Sequence, residues 1–394
     1  MQKPVLLTAF GGVSPEHEVS VLTAMQAMAA LKDSSYELRP LYISKSGRWY
    51  TGDYLLDLKN YENLDKLEKN GIPCTFTKNS LGQPVLHELK NSWFSKPEEF
   101  PLYAVLTAFH GSDGENGSFQ GTCETFNIPY TGSGVLASAL GMNKVMAKKV
   151  AREAGIPVVK DVYFNEPEWI DKRDDIIKHI EEFAYPAVVK PVHLGSSIGV
   201  TVASDRIRLI EAIELAFRYD SSLLVEKAVY PLTEVNCSVL GTATQNRASV
   251  CEQPLGKTEI LSFEDKYLSD ENSSKGMASA ERIIPAEISD SLREKIQKTA
   301  CRIFSIFGAS GVARLDFLVN SDTNEFFFNE INTIPGSFSF YLWEKSEIKF
   351  NNLLVELIDI AIERHKQKNG RIRSYETNLL NKKAVKGLKG LKGK

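Results

Sequence analysis

Apolar and polar positions follow one another in blocks that are typical of a protein with both buried strands and amphipathic helices. PVLLTAFGG predicts a buried strand with a Gly-Gly turn, and EVSVLTAMQAMAALK predicts a helix with one apolar face. YELRPLYIS predicts a second strand, and PLYAVLTAFHG predicts a strand that runs into a glycine-rich loop. This order indicates an α/β domain over residues 1–132, with ligands expected at the loops that follow the strands.

Two stretches of this domain lack a regular pattern. Residues 44–100 are turn-rich and charged, so we expect an insertion that decorates the domain. HGSDGENGSFQG is rich in glycine, and we predict no regular structure there before Gln120.

A second unit is predicted from residue 133 to residue 225. VLASALGMNKVMAKKVAREAG predicts a helix and IPVVKDVYF a strand. YPAVVKPVHLGSSIGVTVAS contains two strand-like runs joined by a Gly/Ser loop, which predicts a hairpin. RIRLIEAIELAFRYD and SLLVEKAV then predict a helix and a strand.

The third unit, predicted over 226–366, begins with strands and ends with a helix. SDSLREKIQKTACRIFSIFG predicts a helix, RLDFLVN and EFFFNEIN predict a hairpin, and NNLLVELIDIAIERHKQK predicts the closing helix. The remaining 367–394 are basic and without an apolar face, which predicts a disordered tail rather than a membrane helix. A weak anion-binding role for this tail stays open.

Composition excludes several classes of function. The 394 residues carry 47 basic and 50 acidic side chains, and a net charge of -3 creates no field that would attract nucleic acid or an anionic membrane. The five cysteines form no CxxC pair, so zinc and redox sites are not indicated. No apolar stretch reaches about 18 residues and the N-terminus does not read as a signal peptide, so we expect a cytoplasmic protein.

Three oxygen-bearing side chains near the C-terminus suggest a metal site. Alternation along FFFNEIN places Glu330 and Asn332 on one face of a strand, with Asn329 and Ile331 on the other. Asp316 in RLDF would reach the same ion from the neighbouring strand, and Mg²⁺ favours such oxygen ligands together with phosphates. Read alone, this segment fits a polar strand end before a turn equally well.

Two other segments suggest phosphate and nucleotide contacts. GSSIGV, residues 195–200, offers consecutive backbone amides, although a Gly/Ser loop alone is more often a plain hairpin turn. Lys190 strengthens the phosphate interpretation because a strand lysine needs a partner, whereas Lys144 also fits an ordinary helix surface. Glu226 and Lys227 in LLVEKAV weakly suggest a hinge against a purine edge.

Eight motifs occur in the order and rough spacing of one known family. They are GGVSPEHEVS, HGSDGENGSFQG, YTGSGVLASALGMNK, VVKPVHLGSSIGV, VEKAV, DKYLSD, ARLDF and NEINTIPG. Over about residues 3 to 366 the chain thereby resembles the D-alanine:D-alanine ligases of the ATP-grasp superfamily. The resemblance implies an α/β fold, with an N-terminal doubly wound (pre-ATP-grasp) domain before a two-part ATP-grasp fold that binds ATP between two sheets.

The resemblance also implies an activity and its cofactors. It implies ligation of two D-alanines to D-alanyl-D-alanine through an acyl phosphate, for peptidoglycan precursors, with ATP as substrate and two Mg²⁺ ions, or Mn²⁺ in their place. It further implies a homodimer, with no nucleic-acid partner and no membrane insertion. A ligase with another second substrate, such as D-serine, and a non-catalytic ATP-binding regulator stay open, although the complete set of catalytic residues argues against the regulator.

The family's functional residues carry over by motif. The catalytic roles fall on Glu16, Ser196, Tyr267, Arg314 and Gly336. The ATP-binding roles fall on Lys144, Lys190, Ser197, Glu226, Lys227, Ala228, Val229 and Glu234, and the metal roles on Asp316, Glu330 and Asn332. The spacing before Glu234 is one residue longer than in many relatives, which makes Glu234 the less secure of the two nucleotide carboxylates.

Several of these residues have a second interpretation. Glu16 matches the carboxylate that holds the first ammonium group, and it also suits a helix N-terminus on electrostatic grounds. Arg314, which matches the oxyanion-stabilising residue together with the amide of Gly336, also suits a buried ion pair. His110 matches a substrate-side histidine, but a lone loop histidine is more often structural.

The resemblance also implies roles for a mobile loop and for the second-substrate site. Lys266 and Tyr267 in DKYLSD match a loop that closes over the site, and this tyrosine favours an amine nucleophile over a hydroxy acid. After Gly336 the chain departs from many relatives and reads SFSFYLWE, which aligns Tyr341 and Leu342 with the residues that grip the second carboxylate. Ser337 or Ser339 is the alternative, and the aromatic residues here also suit core packing.

Overall fold

The structure is a computed structural model, and it describes residues 3–89, 98–183, 185–255 and 281–372. It contains three sheets that follow one another along the chain. None of the described helices is both long and apolar enough to cross a membrane.

The first sheet closes on itself through six strands in the order of the sequence. Its strands are β1 (Val5–Gly11), β2 (Glu37–Ile43), β3 (Trp49–Thr51), β4 (Ile72–Lys78), β5 (Pro84–Glu88) and β6 (Glu99–Thr107), and its helices are α1 (His17–Leu31), α2 (Leu64–Asn70), α3 (Ser112–Glu115) and α4 (Ser118–Phe126). Strand β1 is fully buried and pairs in parallel with β2 and β6. The carboxyl ends of these parallel strands lead into the loops that carry the candidate residues.

Residues 44–100 differ from the decorating insertion that we expected. They supply β3, β4, β5 and the start of β6, which pair antiparallel and close the first sheet. Alternating buried positions in IPCTFTK mark β4 as half-buried, a pattern that the surrounding charged residues obscured.

The glycine-rich loop after β6 is also more regular than predicted. It contains α3 and the start of α4, both before Gln120. The residues preceding these helices, Gly111 and Gly117, have φ of 69° and 101°. The glycines therefore permit sharp entries into short helices, and the prediction of no regular structure before Gln120 is wrong.

The second sheet has four antiparallel strands in the order β7-β10-β8-β9. The elements of this part are α5 (Val135–Met142), α6 (Lys144–Glu153), β7 (Asp161–Asn165), α7 (Glu166–Glu181), β8 (Ala187–Pro191), β9 (Thr201–Ala203), α8 (Arg206–Ala216) and β10 (Ser222–Lys227). The predicted helix of 135–155 is two helices, because Asn143 is extended and its side chain caps α6 by accepting from the Met146 amide. The predicted hairpin is present as β8 and β9.

The third sheet has five antiparallel strands in the order β13-β12-β11-β14-β15. Its elements are β11 (Leu232–Gly241), β12 (Asn246–Pro254), β13 (Arg282–Ile283), α9 (Asp290–Ile306), β14 (Gly311–Asn320), β15 (Phe326–Asn332), α10 (Phe340–Glu344) and α11 (Phe350–Asn369). The predicted hairpin is β14 and β15. Helix α11 continues to Asn369, past the predicted boundary at 366, and residues 373–394 lie outside the described part.

One buried apolar cluster joins the beginning of the chain to its end. Leu6 and Phe10 of β1 belong to the same cluster as Trp343 of α10 and Leu354 of α11. Because this cluster is continuous, the third sheet is held against the first domain, and loops from both meet beside it.

Candidate functional site

Sheet pairing brings the predicted metal ligands together. Asp316 of β14 lies directly opposite Glu330 of β15, and Arg314 lies opposite Asn332. The Asn332 side-chain amide donates to Asp316 Oδ2 over 3.2 Å. Cross-strand neighbours on one face are about 5 Å apart at Cβ. These oxygen ligands therefore form one patch, as the alternation predicted.

Arg314 lies beside this patch in a two-point ion pair. Its Nε and Nη2 donate to the two carboxylate oxygens of Asp316, both over 2.7 Å. Burial opposes the charge of Arg314, but the adjoining Asp316 outweighs it and holds the pKa of the guanidinium above its usual value. Both the ion pair and a charge-stabilising role fit this position.

A bulge in β15 corrects the prediction for Asn329. The register changes so that Asp316 faces Glu330 while Phe317 faces Phe328, which leaves Asn329 as an extra residue. Asn329 therefore does not follow the alternation, and its Oδ1 accepts from Lys190 Nζ over 2.9 Å.

Lys190 is part of a buried group of three charges. The carboxylate of Glu226 is 1% exposed and pairs with Lys190 Nζ at 2.5 Å and with Lys148 Nζ at 2.6 Å. Burial opposes ionisation of Glu226, but Lys148 and Lys190 outweigh it and lower its pKa to about 2. This carboxylate is therefore ionised at neutral pH and orients both lysines.

A cleft of about 420 Å³ lies between the second and third sheets. Its walls combine apolar side chains such as Val188, Val202 and Leu318 with charged groups at one end. All eight predicted ATP-binding residues line it: Lys144, Lys190, Ser197, Glu226, Lys227, Ala228, Val229 and Glu234. An apolar slot that also carries lysine side chains suits a planar base joined to phosphates.

A second, smaller cavity adjoins the charged end of the cleft. Glu16, His110, Ser196, Arg314 and Gly336 line it. Lys144, Leu194 and Glu330 line both spaces, so the cleft and the cavity meet at these residues. Lys144 Nζ lies 3.5 Å from Glu330 Oε2 and also donates to the Leu194 carbonyl.

Glu16 links the first domain to the hairpin tip of the second sheet. The Ser196 hydroxyl donates to Glu16 Oε1. The Glu16 side chain makes no capping hydrogen bond to α1, although the residue lies at its N-terminus. A Cβ at Gly195 would lie 3.0 Å from Glu16 Oε2 and one at Gly111 2.7 Å, so the carboxylate lies close against both glycines, and Gly111 also has a positive φ of 69°.

His110 is buried and neutral at physiological pH. Burial and the nearby Arg314 lower its pKa to about 3. Its Nε2 lies 2.8 Å from the Thr23 hydroxyl, which accepts from the Ser337 backbone N–H over 3.2 Å. His110 therefore supports the segment after Gly336 as well as lining the cavity.

The residues that follow Gly336 are buried rather than open to the cavity. Ser337 is 2% exposed, Ser339 and Leu342 are fully buried, and none of them lines the cavity. The Tyr341 hydroxyl donates to Glu252 Oε1 over 3.2 Å. The structure thus brings Glu16, His110, Arg314 and Gly336 together but does not bring Tyr341 and Leu342 into their cavity. Lys266 and Tyr267 lie outside the described residues.

The donor set fits Mg²⁺. In the described part of the chain, no group of three or more His, Cys, Asp or Glu side chains is placed to hold a metal ion. Two carboxylates and one amide, Asp316, Glu330 and Asn332, leave room for other oxygen ligands. This is the usual protein share of a Mg²⁺ site that is completed by phosphates and water.

Sequence reasoning missed three residues of the site. Lys148 pairs with Glu226, and Asn329 accepts a hydrogen bond from Lys190. Glu115 lines the cavity. The helical spacing of Lys144 and Lys148 placed both on one face of α6, which was the available signal for Lys148. Glu115 stands in the quoted motif HGSDGENGSFQG, where only the histidine was assigned.

Comparison with known proteins agrees with this geometry. Profiles of the D-ala D-ala ligase N-terminus and C-terminus match residues 6–133 and 150–359. The D-alanine–D-alanine ligase of Thermosipho melanesiensis is 38% identical over 380 residues, which cover 96% of this chain and 98% of that protein. The corresponding protein of Listeria innocua is 34% identical over 378 residues, covering 93% and 98%.

Solved structures are similar over most of the chain. The D-alanine-D-alanine ligase from Coxiella burnetii has a TM-score of 0.78 at 29% identity, covering 95% of this chain and 99% of that one. The VanG D-Ala:D-Ser ligase from Enterococcus faecalis has a TM-score of 0.75 at 29% identity, covering 91% and 100%.

Proposed function

This chain belongs to the D-alanine–D-alanine ligase family, and on that premise we propose that it uses ATP to join two D-alanines into D-alanyl-D-alanine for peptidoglycan precursors. The observation that carries the proposal is the junction of cleft and cavity at Lys144, Leu194 and Glu330. A nucleotide in the cleft would point its phosphates at this junction. A small amino acid in the cavity would place its carboxylate there, within reach of phosphoryl transfer.

The cavity suits a first amino acid that carries an ammonium group. Glu16 supplies a carboxylate, and His110 adds a neutral imidazole rather than a second cation. A neutral His110 does not repel the ammonium group, whereas a protonated one would. Glu16 therefore holds and orients the first D-alanine.

Charge governs the chemistry at the junction. A carboxylate is a poor acyl donor, and phosphorylation by ATP converts it into an acyl phosphate that an amine can attack. Lys144 and Lys190 hold the phosphates from the cleft side, while Ser196 and Ser197 cover them from the hairpin tip. Asp316, Glu330 and Asn332 would hold Mg²⁺, which neutralises phosphate charge when it is bound.

Arg314 and the backbone amide of Gly336 lie at the acyl side of the junction. When the amine of the second amino acid attacks, the carbonyl oxygen becomes an oxyanion. A guanidinium and an N–H fixed beside the reacting carbon would stabilise it with little reorganisation. Its ion pair with Asp316 fixes the orientation of Arg314 for this purpose.

A phosphate-release assay tests the function. With ATP and Mg²⁺, we expect D-alanine alone to support turnover, because it fills both amino-acid positions. Release only when D-alanine is combined with another amino acid would contradict the D-alanyl-D-alanine product. If no amino acid pair leads to phosphate release, the result would support the ATP-binding regulator instead.

D-serine as second substrate is the alternative with specific support. The chain resembles the VanG D-Ala:D-Ser ligase almost as closely as the Coxiella enzyme, with TM-scores of 0.75 and 0.78 at 29% identity for both. D-serine therefore belongs in the panel beside D-alanine. We also propose a homodimer, for which the family resemblance is the support and analytical ultracentrifugation the test.

Tyr341→Phe tests whether this tyrosine binds substrate or packs the core. Glu252 Oε1 accepts from both Tyr341 and Asn236, each over 3.2 Å, and Oε2 accepts from Arg282 over 2.8 Å, so the variant removes one of three donors to a buried carboxylate. We expect the free energy of unfolding to fall by about 1–2 kcal/mol. Urea denaturation measures it, with the exposed Tyr219→Phe as control.

The same variant gives a kinetic answer. If Tyr341 only packs, the half-saturating concentration of D-alanine stays at the wild-type value. A clear rise in that concentration, with unchanged stability, would instead make Tyr341 a substrate residue.

A further inference from the structure

Glu115 is an acidic side chain in the amino-acid cavity to which the proposed mechanism gives no role. It ends the short helix α3, and it lines the cavity with Glu16, His110 and Gly336. Burial, followed by the charge of Glu16, raises its pKa to about 7. Burial and a neighbouring carboxylate both disfavour the ionised form of Glu115, and such a perturbed acid in a cavity is a candidate functional residue.

The two oxygens of Glu115 hold two different loops. Oε2 accepts from the Gly111 backbone N–H over 3.0 Å, within the first domain. Oε1 accepts from the Ile334 backbone N–H over 3.3 Å, on the loop that leaves β15. Ile334 lies two residues before Gly336. This one carboxylate therefore connects the loop after β6, which contains Gly111 and lies at the first amino-acid site, with the loop that supplies the oxyanion donor.

His110 is a second side chain of the first domain that lies near Ile334. Burial dominates and lowers the pKa of His110, and the Ile334 backbone opposes this effect, so the ring lies against the same loop. The Thr23 hydroxyl adds a third attachment at the Ser337 N–H.

The loop needs such attachments because its backbone is strained. Ser337, Phe338 and Ser339 have φ of 51°, 55° and 50°, in the left-handed region that side chains disfavour. Each such residue costs about 1–3 kcal/mol and persists only where the surroundings impose it. Phe338 is buried in the cluster shared with the first domain, which also opposes relaxation of this turn.

We propose that Glu115 is a positioning residue that ties the first amino-acid site to the Gly336 loop, so that the oxyanion donor is in place only when the two loops are joined. This inference rests on the proposed function of the cavity. A carboxylate is required because it accepts on both oxygens at once. A glutamine has a single accepting oxygen, so it serves one loop and presents an N–H₂ group to the donor of the other.

Glu115→Gln is the test, with Asp113→Asn as the matched control on the exposed side of the same helix. We expect kcat to fall roughly 10- to 100-fold, as for loss of a hydrogen bond to a charged group. The KM for ATP stays within about twofold, because the ATP cleft is untouched. Asp113→Asn keeps wild-type kcat.

Amide hydrogen exchange supplies a readout that does not depend on turnover. In Glu115→Gln the peptide that contains Ile334 is expected to exchange faster, while peptides of α9 keep wild-type rates. Wild-type kcat together with unchanged exchange at Ile334 would overturn the proposal. So would a loss of kcat that accompanies faster exchange throughout the protein, because that pattern shows general destabilisation.

Wild-type activity separates this inference from the function on which it rests. If the wild type ligates a different amino acid pair, kcat of wild type and Glu115→Gln is compared with that pair, and the test of Glu115 is unchanged. If the wild type ligates no pair, the function fails, and exchange at Ile334 still decides whether Glu115 holds the loop.

Discussion

Glu330→Gln is expected to lower ATP-dependent phosphate release by about 1,000-fold or more, which corresponds to about 4 kcal/mol in the barrier. Glu330 lies at the junction of cleft and cavity, opposite Asp316 and 3.5 Å from Lys144 Nζ. The amide keeps the shape of the side chain but removes the negative charge that Glu330 contributes to the proposed Mg²⁺ site. Because β15 is held by backbone pairing and apolar packing, the fold should remain.

Three measurements make this prediction specific. Circular dichroism and thermal unfolding establish that the Glu330→Gln protein is folded. Glu325→Gln, an exposed glutamate that immediately precedes β15, serves as control and should retain wild-type turnover. Mg²⁺ titration of any residual activity should show half-saturation shifted to higher concentration. Near-normal turnover of Glu330→Gln would remove the metal assignment.

The local part of this site could be predicted from the sequence. Two-residue alternation places Glu330 and Asn332 on one face, and the hairpin partner brings Asp316 to them. The same rule failed for Asn329, because the extra residue at the bulge turns its side chain toward Lys190. A bulge is set by the pairing of two strands, so the residues of one strand do not reveal it.

Contacts between distant parts of the chain could not be predicted from local patterns. Ser196 binds Glu16, and Ile334 binds Glu115, across separations of 180 and 219 residues. Hydrophobic periodicity identifies which face of an element is buried but not which loop lies against it. The family resemblance names Glu16 and Ser196 as site residues, but it assigns no role to Glu115 or Ile334.

Residues 44–100 illustrate a different limit. Charged side chains dominate the composition there, which suggests an insertion. Strand β4 buries alternate positions and β5 buries Val85 and Leu86 side by side, so a few apolar residues among charged ones are enough for these two short strands. Cys74, Phe76 and Leu86 are enough to place them in the wall of the first domain.

Glu226→Gln is expected to give the largest loss of stability among the single changes considered. The variant leaves Lys148 and Lys190 buried beside each other without their shared carboxylate. Removing one partner of a buried ion pair costs about 3–5 kcal/mol, since the remaining charge is uncompensated. Urea denaturation measures the free energy of unfolding. Glu214→Gln, which breaks an exposed pair with Arg173, should cost less than about 1 kcal/mol.

The difference in free energy of unfolding between wild type and Glu226→Gln is expected to depend on pH. The pKa of Glu226 is lowered to about 2 in the folded protein because Lys148 and Lys190 outweigh the effect of burial. Its contribution to stability is therefore complete above its ordinary pKa of 4.5, and it is lost as pH falls from 4.5 towards 2. The gap between wild type and Glu226→Gln should narrow over that range.

At high pH the Glu226→Gln variant should regain stability. Burial already lowers the pKa of Lys148, and Glu226 is the main group that opposes this shift. Without Glu226 the folded protein binds the Lys148 proton more weakly than the unfolded chain does, so stability rises with pH. Rising pH should thus recover part of the lost free energy of unfolding. An equal loss in Glu226→Gln and Glu214→Gln, constant from acid to alkaline pH, would contradict a charge-bearing role for this buried group.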